Sequence, residues 1–129
     1  MGSEKGNSMS KRILVVEDHE ENRRIVRDLL TSVGYEIIEA VTGEEGVTMA
    51  ESQRPDLILM DIQLPGLDGY EATRRIKANP ASRQIPIIAV TSYALSGDDV
   101  KALAAGCDAY VTKPFSPRAL LAKIREYVP

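Results

Sequence analysis

The chain has 129 residues, 43% of them hydrophobic, which suits one domain with a single core and argues against disorder over most of its length. Its net charge of −3, from 16 basic and 19 acidic residues, lacks the basic stripe expected of a direct nucleic-acid binder. No apolar run approaches the roughly 18 residues of a membrane span, no charged-then-apolar leader opens the chain, and the single Cys107 permits neither an internal disulfide nor a zinc cluster, so a reducing, cytoplasmic setting is expected.

Residues 1–10 are rich in Gly, Ser and Asn and show no periodicity. They read as a tag or disordered leader, with Met9 a candidate natural start, and the domain is expected over 11–129. Ile13 to Val16 is a short β-branched run that ends in Glu17-Asp18. A helix is expected from Glu20 to Val33, with Val26, Leu29, Leu30 and Val33 inward and Arg23, Arg24, Arg27 and Asp28 outward. Gly34 is placed to end it. Tyr35 to Val41 should be a strand, and Thr42-Gly43-Glu44-Glu45 is a capping box opening a helix to Ser52.

Leu57-Ile58-Leu59-Met60-Asp61 is four apolar residues closed by an acid, with Pro65, Gly66 and Gly69 after it. That fits a strand buried on both faces, followed by a loop. Asp68 and Glu71 open a helix to Ala78, and Ile87 to Thr91 is the fourth strand. Ser96 can cap a thin helix from Gly97 to Ala105, whose stripe is Val100, Leu103 and Ala104. Ala109 to Thr112 is the last strand. Ser116 before Pro117 starts the last helix, with Leu120, Leu121, Ile124 and Val128 inward.

Strand and helix alternate five times with short connections, the pattern of an α/β fold with a five-stranded parallel sheet and helices on both faces. Right-handed crossovers put every strand's carboxyl end on one edge, where open α/β sheets bind their ligands. That edge gathers Glu17, Asp18, Asp61, Thr91, Ser92 and Lys113. Three carboxylates and one ammonium leave an excess of about −2 at reference pKa values. Oxygen-only ligands favour Mg²⁺ or a similar hard cation. A carboxylate can act as nucleophile and form an acyl phosphate, and Asp61 is the candidate phosphoacceptor.

Glu17-Asp18, Asp61 with Pro65 and Gly69, Thr91, and Lys113-Pro114 resemble, in order, the motifs of bacterial response-regulator receiver domains, over Lys11 to Tyr127. Ile62-Gln63-Leu64-Pro65 and Gly106-Cys107-Asp108-Ala109-Tyr110 look most like the DivK group and like receivers inside hybrid histidine kinases. The resemblance implies a flavodoxin-like (βα)5 receiver fold in a two-component phosphorelay. Asp61 would take a phosphoryl group from a phosphohistidine of a sensor histidine kinase or histidine phosphotransfer protein. Mg²⁺ would be held by Asp18, Asp61 and the backbone carbonyl of Gln63, with Glu17 acting through water. Lys113 would pair with the phosphoryl oxygens before a cis Pro114; Thr91 and Tyr110 would be the switch; Gln63 and Tyr93 would tune hydrolysis. A downstream protein would dock on the face of the fourth helix, fifth strand and fifth helix. The resemblance implies a phosphoacceptor with self-catalysed phosphotransfer and autodephosphorylation rather than a turnover enzyme, and no output domain is expected in this chain.

Blander readings exist for each residue alone. Asp18 could simply cap a helix, Thr91 end a strand, and Tyr110 and Cys107 pack. His19 reads as a solvent residue, and Arg74, Arg75 and Lys77 as a solvated face; Arg23, Arg24 and Arg27 are either solvated or touch a partner. A receiver excised from a hybrid kinase is the alternative origin. A haloacid-dehalogenase-type phosphatase needs a second aspartate where this chain has Gln63, and a dinucleotide module needs glycines where it has Glu17-Asp18-His19-Glu20. A scaffold that is never phosphorylated is disfavoured because the acids and Lys113 are all present.

Overall fold

The computed structural model describes residues 10–92, 98–113 and 116–129. The leader up to residue 9, the expected Ser96 cap, Tyr93 and Pro114 lie outside them. Strands and helices alternate as β1 Arg12–Val16, α1 Glu20–Ser32, β2 Glu36–Ala40, α2 Gly43–Gln53, β3 Leu57–Asp61, α3 Gly69–Ala78, β4 Ile87–Thr91, α4 Asp98–Ala105, β5 Ala109–Thr112 and α5 Pro117–Arg125. All strand pairs are parallel, in the order β2-β1-β3-β4-β5. The chain therefore changes direction across the sheet between β1 and β3, and a crevice opens there at the carboxyl edge.

The period of two along each strand divides the core. Leu14, Val16, Ile58, Met60, Ile87 and Ala89 face α2, α3 and α4. Ile13, Val15, Leu57, Leu59, Ile88 and Val90 face α1 and α5, through Leu30, Leu120 and Ile124. Every residue of β3 and β4 is buried, as their unbroken apolar runs require. The caps form as expected. Thr42 accepts from the Glu45 N–H at 3.0 Å, Asp68 from Glu71 at 2.9 Å and Ser116 from Ala119 at 3.0 Å. Among the described residues, no helix is long and apolar enough to cross a membrane.

Three side-chain directions differ from the sequence reading. Val33 is 40% exposed, because α1 ends at Ser32 and Gly34 turns the chain at φ 100°. Tyr35 takes the inner place instead, with its hydroxyl donating to the Val128 carbonyl at 2.7 Å. Helix α4 buries Ala102 and Ala105 and leaves Val100 and Leu103 65% and 54% exposed. Its stripe is thus the small residues, which let the helix lie close to its neighbours, and the larger apolar pair faces solvent. Arg23 does not face out; its side chain is only 11% exposed.

Candidate functional site

Each strand at the crevice delivers one group. The β1 ladder runs one residue beyond the strand, with the Glu17 N–H on the Ala40 carbonyl at 3.0 Å. This carries the Glu17 carboxylate into the interior, where it is 6% exposed. Asp61 closes β3 and is 4% exposed. The Gln63 N–H donates to its Oδ1 at 3.0 Å, a local turn that fixes the carboxylate plane. Helix α3 presses on the same turn, since a Cβ at Gly69 would overlap the Asp61 carbonyl oxygen. Thr91, 1% exposed, ends β4 one position past the register partner of Asp61. The Lys113 N–H donates to the Thr91 carbonyl at 2.7 Å, which sets the lysine just past β5.

The ammonium of Lys113 lies 3.2 Å from Glu17 Oε1 and 3.5 Å from Asp61 Oδ2. Two buried carboxylates thus share one cation. Burial pushes the Asp61 carboxyl up to about 6; the Gln63 N–H opposes this, the neighbouring Glu17 charge adds to it, and Lys113 offsets only part. Burial acts the same way on Glu17. There the His19 N–H, at 3.0 Å from Oε2, and the charge of Lys113 outweigh it and hold the carboxyl below its ordinary range. Both acids share Lys113, and burial opposes the charge of Asp61 more than that of Glu17.

On its other side Glu17 meets a second group. Glu17, Asp18 and His19 bring their ligand atoms within 4.8 Å of one another, and Asp61 does not join that set. His19 Nδ1 is 3.2 Å from Glu17 Oε2 and 3.3 Å from Asp18 Oδ1. The ring is 69% exposed, as expected of a solvent residue, while its Nδ1 lies beside both carboxylates. Asp18 Oδ1 is buried and accepts no hydrogen bond. A buried carboxylate oxygen with only the exposed His19 ring beside it, next to the Glu17 carboxylate, fits a hard divalent cation taking oxygen ligands. A cleft of about 560 Å³ opens beside Glu17, Asp61 and Lys113, walled by apolar residues including Ile25, Val26 and Leu120. Tyr110 on β5 is 37% exposed and stands outside this cluster. Gln63 is exposed apart from its N–H contact with Asp61.

Residues 13–125 match the family model described as the response regulator receiver domain. The chain belongs to that family. Its curated relatives include the polar-differentiation response regulators DivK of Brucella anthropi and Brucella ovis, 43% and 42% identical over 120 residues, which span 93% of this chain and 98% of theirs. Among solved structures, the receiver domain of sensor histidine kinase PA1611 from Pseudomonas aeruginosa superposes with a TM-score of 0.87 at 42% identity, covering 92% of this chain and 98% of that one. That structure is described as having a magnesium ion coordinated in the active site cleft. The Vibrio cholerae chemotaxis protein CheY4 has the same fold, with a TM-score of 0.86 at 26% identity and the same coverage. This chain is a receiver of two-component signalling with a flavodoxin-like fold. The crevice between β1 and β3 is therefore the place to look for a receiver's chemistry, and the similarity to DivK spans nearly the whole chain.

Proposed function

We propose that Asp61 is the phosphoacceptor of this receiver. The observation that carries the reading is the Lys113 ammonium set between Glu17 and Asp61 at the carboxyl edge, 3.2 and 3.5 Å from their oxygens. Asp61 Oδ1 is occupied by the Gln63 N–H, which leaves Oδ2, on the side of Lys113, as the attacking atom. Its lone pair forms the new P–O bond as the P–N bond of a phosphohistidine breaks, and the imidazole leaves with the electron pair and takes up a proton. Lys113 then pairs with phosphoryl oxygens instead of with Asp61, and the Thr91 hydroxyl donates to one of them.

Asp18, Asp61 and the carbonyl of Gln63 would hold Mg²⁺, with Glu17 acting through water. A bound cation supplies charge neutralisation for the incoming phosphoryl group. The chain's own residues do the rest: Glu17 fixes the ammonium, Gln63 the carboxylate plane, and burial limits access of water. The donor would be a sensor histidine kinase or histidine phosphotransfer protein in the cytoplasm. The α4–β5–α5 face would carry the signal onward, with Val100, Leu103 and Tyr110 already exposed on it and Thr91 and Tyr110 as the moving parts. Gln63 and Tyr93 would set the lifetime of the acyl phosphate.

The test is intact mass after incubation with acetyl phosphate and Mg²⁺. Wild type should gain one phosphoryl mass and Asp61→Asn none. Persisting label in the variant would remove Asp61 as the sole acceptor.

A further inference from the structure

We propose that Arg23 is a positioning residue for the metal-binding acids, acting through the peptide that joins Glu17 to Asp18. The inference rests on the reading of those acids as cation ligands. The Arg23 guanidinium spends its donors in three directions. Nη1 donates to the Glu17 carbonyl at 3.0 Å, Nε to Glu39 Oε1 at 3.0 Å and Nη2 to Glu20 Oε1 at 2.9 Å.

The Glu17 carbonyl belongs to the peptide between the two acids. Its orientation sets where the Asp18 side chain starts. Glu17 is held by its N–H on Ala40, by the His19 N–H on its carboxylate at 3.0 Å and by its carbonyl on Arg23, and the last fixes the peptide plane itself. Without the Arg23 hold, that peptide can rotate and carry the Asp18 carboxylate with it.

Glu39 anchors the arginine. It sits on β2 opposite Val15 of β1, and Arg27 Nη1 grips it a second time at 2.9 and 3.1 Å. Burial would raise the Glu39 carboxyl, but its bonds from Arg27 and Arg23 outweigh this and keep it below the ordinary carboxylate range. The anchor is therefore charged at neutral pH. Partners that orient metal ligands from behind are commonly worth roughly 10–100-fold in metal affinity. Arg23 was expected to face solvent; it faces the loop that bears the ligands.

A merely structural arginine would fasten α1 to β2 and leave cation binding alone, so the experiment reads both. Mg²⁺ affinity is measured by isothermal titration calorimetry, and stability by urea unfolding in EDTA. Arg23→Ala should weaken Mg²⁺ binding roughly ten-fold or more. Arg23→Lys keeps the charge but not the fork, and should recover only part. Glu39→Gln should weaken binding in the same sense by a smaller factor, and it decides the matter with Arg23→Lys if Arg23→Ala does not fold. Arg12→Ala, which removes the exposed pair with Glu36 at the other end of the same strands, should leave Mg²⁺ affinity within about two-fold. Folded Arg23 and Glu39 variants that bind Mg²⁺ as wild type does would overturn the proposal and leave the metal reading standing. A wild type that shows no Mg²⁺ binding would bring down both.

Discussion

Replacing Asp61 by Asn tests whether the buried acid stores unfavourable charge. The carboxyl rises from its ordinary 3.8 to about 6 in the folded chain, first through burial and then through Glu17. At about 1.36 kcal/mol per pH unit, ionised Asp61 costs the metal-free fold up to roughly 3 kcal/mol. The sign follows from proton uptake. The folded chain binds the proton more tightly than the unfolded chain, so the cost is absent below about pH 4, grows as pH rises, and is complete above about pH 6. Asparagine keeps the acceptor for the Gln63 N–H, and its amide N–H can donate to Glu17. It removes the charge but also one partner of Lys113. The expected net gain is about 1–3 kcal/mol at pH 8 in EDTA, shrinking towards zero at pH 4. The chain has no Trp, so urea unfolding is followed by far-ultraviolet circular dichroism. Mg²⁺ should close the gap at pH 8 by stabilising wild type and not the variant. A variant no more stable than wild type at pH 8 in EDTA would refute the electrostatic picture of the site.

Gly69→Ala places a methyl group against the Asp61 carbonyl, a backbone atom that cannot swing aside. It should cost about 1–3 kcal/mol and slow phosphoryl labelling by acetyl phosphate; stability and labelling both at the wild-type level would show that α3 does not press on the turn. Tyr93→Ala should speed loss of the phosphoryl group if the ring shields it from water, as followed by intact mass over time. An unchanged or slower loss would discard that shielding role.

Much of the fold was legible because its signals are local. Unbroken apolar runs marked β3 and β4, and Ser, Thr or Asp three residues before the bonded N–H marked the starts of α2, α3 and α5. Helix α4 was misread because periodicity identifies residues that share a face without saying which face is inside. Val100 and Leu103 are three apart, but so are Ala102 and Ala105, and the neighbouring elements accepted the smaller pair. Val33 was misread for a related reason, since the helix stopped one residue short of it.

The amino-acid sequence by itself determined that Glu17, Asp18, Asp61, Thr91 and Lys113 stand at strand ends, since each follows or closes a short run of strand-forming residues in a chain that alternates strand and helix; β3 and β4 are buried throughout, whereas β5 is not. Only the tertiary structure decided how they divide. It put Lys113 against Glu17 across 96 residues, set Asp18 with His19 on the far side of Glu17, and turned Arg23 onto Glu39 of the neighbouring strand. The physical reason is that ionisation and pairing depend on burial and on charges brought close by strand order. Neither is written in the spacing along the chain.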